Sequence, residues 1–287
     1  MAGAGKKWFI GCGIGCGLMV IILGGVGTCG YFGFKQLEDK VEGMEENADA
    51  VRARFGDPAD FVPALDGTVP ADRMETFLAV RDGMAPFRNE TSEMLSVLDG
   101  DEANFIAKAQ AGMKMVPALL GFINQRNQVL LEQGMGVGEY QYIYALSYFV
   151  LLNHDPADGP GFQLSGDNES DNGNVNVKWG GGGDDGTRED RAGRVRRFVN
   201  NIQSEVLENQ LEAYRASLPA GTDLASDPWG AQLGAEVEAL KLESLRFPWE
   251  EGLPEQIRAS LEPYRDQLAA TYDPLTSVIE MGLTDEN

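Results

Sequence analysis

Histidine is all but missing from this 287-residue chain, which has His154 alone, and cysteine is confined to three positions. One imidazole, with all three thiols within the first 34 residues, removes most zinc sites and leaves only His154 to serve a catalytic triad. Basic residues are also scarce. The chain carries 23 Lys and Arg against 45 Asp and Glu, a net charge of −22. Nucleic-acid binding depends on cationic side chains neutralising phosphates, so no nucleic-acid partner is expected. The Gly-x-Ser-x-Gly, His-Glu-x-x-His and P-loop patterns are missing, as is any repeat of solenoid period.

What is there begins at the start of the chain. Lys6 and Lys7 precede an uncharged run from Trp8 to Phe34, closed by Lys35. Its 27 residues exceed the roughly 20 that cross a bilayer as a helix. The run is too long for a cleaved leader and lacks an A-x-A-like site, which predicts an uncleaved signal anchor within residues 1–34. Beyond it, Lys35 and Lys40 are mixed with Glu38, Asp39, Glu42, Glu45 and Glu46. The positive-inside rule then places the N-terminus in the cytoplasm and the rest outside. The exported part holds 21 basic and 45 acidic residues, a net charge of −24.

Gly13, Gly17, Gly24 and Gly27 share one face of the span. Small residues at such spacing let two membrane helices approach closely. The expected partners are therefore the lipid bilayer and a second span, from another copy or another protein. Cys12, Cys16 and Cys29 all lie in this segment, so the exported part must fold without a disulfide, as bacterial envelope domains do.

The remainder reads as mainly α. Residues 35–56 form a polar juxtamembrane helix, and 57–287 an irregular, exported all-α bundle. Residues 71–98 carry apolar residues at helical spacing with an interruption near Pro86. Between Asp101 and Gln133, Phe105, Ala109, Met113, Val116, Leu120, Ile123 and Leu130 recur at helical steps, with a kink or break expected at Pro117. Gly134, Gly136 and Gly138 end that helix. From Tyr142 to Leu152 the chain is apolar around its circumference yet too short for a span, so it reads as a buried central helix. Within it Tyr140, Tyr144 and Tyr148 stack at four-residue steps, as core with outward-reaching hydroxyls or as a ring gripping a ligand. Residues 155–190, rich in Gly and Asp, read as a mobile acidic loop in which a short hairpin around Val175 and Val177 is conceivable. Helical spacing resumes from Arg191 to Leu218 and from Gly234 to Leu245. Two Pro-Trp turns, at Trp229 and Trp249, pin loops onto the bundle, and Pro254 and Pro263 start or restart the last helices.

Few residues are candidates for chemistry. Asp167, Glu169 and Asp171 alternate as oxygen ligands for calcium do, although an EF-hand frame fails at Asn172 and Lys178. His154, followed by Asp155, is a candidate base or a partner of the preceding helix C-terminus. Glu90, Glu93, Glu132 and Glu139 offer carboxylate pairs of the glycosidase kind. No catalytic set and no cofactor site emerges from these. The leading expectation is a non-catalytic, membrane-anchored envelope protein that binds or scaffolds another envelope component. A calcium- or ligand-binding extracytoplasmic sensor and a tethered hydrolase using paired carboxylates are the alternatives.

Overall fold

The computed structural model describes residues 43, 45–99, 105–158, 161–166, 175–180 and 185–282. The expected span at 8–34, with Gly13, Gly17, Gly24 and Gly27, lies outside the described residues. Among the described residues no helix is long and apolar enough to cross a membrane.

The fold is mainly helical. Helix α1 covers 45–55, and a 3-10 turn follows at Pro58–Asp60. Two 29-residue helices come next, α2 (Ala71–Asp99) and α3 (Phe105–Gln133). Both run through their prolines as single helices, so neither the two-helix reading at Pro86 nor a break at Pro117 holds. At Pro86 the reason is on the surface. Proline removes the bond to the Asp82 carbonyl, and both residues are exposed, so the freed oxygen is not confined to an apolar interior. At Pro117 the helix is likewise unbroken.

Helix α4 (Val137–Tyr144) continues as a π-helical stretch, Ala145–Leu151, marked by the five-residue bond from the Leu152 N–H to the Ser147 carbonyl. Every residue from Tyr140 to Phe149 is buried, as the all-round apolar pattern requires. Asn153, with φ 54°, ends the segment in the left-handed region that asparagine tolerates. The core gathers around this helix. Met74, Phe77 and Met84 of α2 and Leu130 of α3 are inaccessible to solvent, as are Val206 and Leu207 of α5 (Asp185–Ser217) and Leu233 of α6 (Pro228–Leu242). The chain closes with the short helices α7 (Glu255–Leu261), α8 (Arg265–Thr271) and α9 (Ser277–Met281). Phe247 stacks on Phe149 at 4.8 Å, and Trp229 stacks on Trp249 at 5.7 Å. Trp229 also donates to the Leu65 carbonyl at 2.7 Å, so the Pro-Trp turns do fasten loops to the bundle.

The stretch 155–190 departs from the expected loop, and the bundle is not purely helical. Strands β1 (Gly161–Gly166) and β2 (Val175–Gly180) pair antiparallel, with Phe162 opposite Trp179 and Leu164 opposite Val177. Period-two alternation of apolar residues in both strands puts those residues in register, which favours a hairpin over open coil. Helix α5 starts at Asp185, before the expected Arg191. The base of the excursion is tied, because Arg188 donates to Asp155 at 2.7 Å and reaches Asp158 at 3.4 Å. Asp167, Glu169 and Asp171 lie outside the described residues. Among those described, no cluster of His, Cys, Asp and Glu is arranged to hold a metal ion.

The entry into the domain is closely fitted. Asn47 donates to Asn124 and Arg54 to the Leu131 carbonyl, each pair 77 residues apart, so α1 and α3 run parallel and contact one heptad apart. Val51 between them is 2% exposed. Chain and glycines then meet. A Cβ at Gly136 would lie 2.9 Å from the Phe55 Cβ, and one at Gly138 only 2.1 Å from the Pro58 carbonyl oxygen. The glycine run that ends α3 is thus also the seat of the 54–58 turn.

Candidate functional site

The densest buried polar constellation joins α2, α3, α4 and α9. Helix α2 carries Arg73, Arg81 and Arg88 about two turns apart, which places them along one stripe facing α4. Arg73 makes a bidentate pair with Glu139, both contacts at 2.6 Å. That pair fixes the start of α4 to the start of α2 and uses the Glu139 carboxylate fully.

Deeper in, the Arg81 guanidinium is completely buried. It donates to the Tyr140 hydroxyl at 3.0 Å and to the Thr271 carbonyl, and it pairs with Glu280. Its flat face lies 5.3 Å from the Tyr144 ring and 5.1 Å from the Tyr148 ring, within cation–π range. Arg88 donates to the Arg81 carbonyl at 2.9 Å and reaches Glu280 Oε1 at 3.5 Å. From α3, Arg126 donates to the main-chain carbonyl of Glu280 at 3.1 Å and to Asn127. Thr276 adds a bond to Glu280 Oε1 at 3.2 Å, and Gln141 holds the Met281 carbonyl at 2.6 Å. A five-residue helix has little stability of its own. Here α9 is held by three arginines and a glutamine from three other helices.

The tyrosine stripe is core, with its hydroxyls engaged selectively. Ring centroids of Tyr140 and Tyr144 lie 5.9 Å apart and those of Tyr144 and Tyr148 4.5 Å apart. Tyr140 accepts from Arg81, and Tyr148 shares a 2.8 Å bond with Thr271. The Tyr144 hydroxyl has no hydrogen-bond partner among the described residues. Burial pushes the phenols of Tyr144 and Tyr148 above the ordinary range, so both stay protonated.

His154 closes the outer edge of this cluster. Its backbone N–H donates to the Tyr148 carbonyl at 2.8 Å, and its ring stacks on Tyr272 at 3.7 Å with the planes 7° apart. Asp155 does not pair with it. That carboxylate takes the Ala157 N–H and Arg188 instead, so the sequence neighbours do not form a His–carboxylate dyad. Desolvation lowers the His154 pKa from its ordinary 6.5, against a smaller opposing effect of Asp158.

The unfolded chain therefore binds a proton at 6.5 that the folded chain resists, and stability falls as pH drops through the interval just below that value. His154→Phe keeps a ring on Tyr272 and removes the titration. The melting temperature of wild type is expected to fall relative to H154F as pH is lowered below 6.5; a gap that stays constant with pH would refute this assignment.

Other sequence candidates are dispersed. Glu90 and Glu93 are exposed on α2, and Glu132 is exposed on α3, where it accepts from Gln128 at 3.0 Å. A second buried ion pair links Arg246 to Glu236 at 3.1 Å, and Glu236 also accepts the Trp249 N–H at 2.7 Å. Sequence reasoning found the tyrosines and His154 and missed Arg81, Arg88, Arg126 and Glu280. The available signal was the spacing of Arg73, Arg81 and Arg88 along the stripe that also carries Phe77 and Met84.

No family model matches the chain, and no curated protein or solved structure matches it either.

Proposed function

We propose that this is a single-pass envelope protein, anchored by the 8–34 run with its N-terminus in the cytoplasm, whose extracytoplasmic helical domain binds or scaffolds another envelope component. The observation that carries the reading is the seating of α1. Helix α1, the first described helix of the chain, is seated closely on the domain. It runs parallel to α3 with contacts at Asn124 and Leu131, and the turn after it fills the glycine seat at 136–138. Contacts of this kind make α1 part of the domain's packed body, which suits a binding or scaffolding domain. A net charge of −24 beyond residue 34 keeps the domain soluble and repels anionic lipid surfaces.

Protease treatment of intact cells with a permeabilised outer barrier tests the topology. A C-terminal tag is expected to be digested, and its protection would overturn the proposal. Self-association through the span is expected to be lost when Gly13, Gly17 and Gly24 are changed to Leu. Unchanged crosslinking of that variant would remove the glycine face as the partner surface.

A further inference from the structure

In a chain so rich in acid, a buried arginine has many carboxylates to choose from. Yet three arginines, each 6% exposed or less, converge on α9, and among the described residues one carboxylate, Glu280, is in ion-pair contact with them. Asp273 acts on Arg88 only at longer range. Arg126 has neutral partners alone among its described contacts, the Glu280 carbonyl and the Asn127 side chain. Arg81 Nε is buried with no acceptor among the described residues. Buried charge is costly unless it is matched, so this cage is short of negative charge. The piece that supplies its one carboxylate is a five-residue helix near the end of the described chain, held by these groups and by Ile279 and Met281 in the core.

We infer that the Arg81–Arg88–Arg126 cage is a binding site for a small oxyanion of the carboxylate class, and that Glu280 of α9 occupies it in this structure. A guanidinium fork matches a planar carboxylate through paired N–H donors, and the Tyr140 and Thr276 hydroxyls stand beside the position to orient it. Helix α9 is then the element that a ligand displaces, and the inference is independent of the membrane reading.

The test uses the full chain in detergent, with acetate and inorganic phosphate as probes and chloride at equal ionic strength as reference. Glu280→Ala leaves the cage without its carboxylate. Acetate is expected to raise the melting temperature of E280A saturably, and to do so no longer in the double variant E280A/R88A. In the wild type, acetate is expected to speed hydrogen exchange at the amides of 277–281 as it competes with Glu280. Rescue together with faster exchange supports the site, and phosphate acting in place of acetate would reassign it to tetrahedral anions and overturn the carboxylate class. Rescue without faster exchange makes Glu280 a fixed structural partner and overturns the ligand site. A folded E280A that treats acetate like chloride overturns it as well. Should E280A fail to fold, the wild-type exchange measurement decides alone, unchanged exchange being the refuting result.

Discussion

Arg81→Ala is expected to cost about 3–5 kcal/mol of folding stability, the range found when one partner of a buried ion pair is removed. The side chain has no solvent exposure, and its loss strands several groups together. Glu280 would keep only the long contact to Arg88 and the Thr276 hydroxyl. The Tyr140 hydroxyl and the Thr271 carbonyl would each lose a donor, and the faces of Tyr144 and Tyr148 would lose the cation against them. Arg81→Met separates these effects, because it fills most of the volume without the charge. If charge matching dominates, urea denaturation will place R81M close to R81A. If packing dominates, R81M will lie near wild type. Adding Glu280→Gln to R81M removes the stranded carboxylate, so the double variant is expected to be more stable than the sum of the two single losses. Strict additivity would show that Arg81 and Glu280 do not act as a pair.

The parts of this fold legible in the sequence are those governed by local period. The apolar recurrence from Phe105 to Leu130 gave α3, and the all-round apolar character from Tyr142 to Leu152 gave the buried helix at the centre. Local rules failed where a partner lay far along the chain. Arg81 falls on the apolar stripe of Phe77 and Met84, but the groups that hold it in the interior, Thr271 and Glu280, are 190 or more residues away. Helix α9 is too short to announce itself by propensity and exists through those tertiary contacts. In the stretch 155–190 composition registers the Gly and Asp content, and the alternation at Val175 and Val177 marks the hairpin's second strand, whereas its partner at 161–166 depends on two segments finding one another. At Pro86 the chain keeps one helix instead of two for a different reason. A proline costs one hydrogen bond, and a helix whose freed carbonyl faces water can continue.

Two glycine substitutions of the same chemistry are expected to move stability in opposite directions. Gly193 lies inside α5, and a Cβ there meets no heavy atom within 4 Å among the described residues. Gly193→Ala is expected to stabilise by about 0.5–1 kcal/mol, through helix propensity and a less flexible unfolded chain. Gly138 is also helical, so the same propensity gain applies. There, however, the new Cβ would sit 2.1 Å from the Pro58 carbonyl oxygen, 2.8 Å from its carbon and 2.9 Å from its Cα. All three are backbone atoms, so no side-chain rotation relieves the overlap, and either the Pro58–Asp60 turn or the start of α4 must move. Gly138→Ala is therefore expected to cost about 3 kcal/mol net, the upper end of what overpacking usually costs. Hydrogen exchange shows where the strain goes. The amides of 45–60 and of the Tyr140–Phe149 stretch are expected to lose protection together, because the same contact joins them. Loss confined to 45–60 would mean that α1 peels away and the tyrosine helix stands without it. Joint loss would mean that whatever moves α1 also moves the helix on which Arg73 and Arg81 close, so that α1 and the tyrosine helix open as one unit.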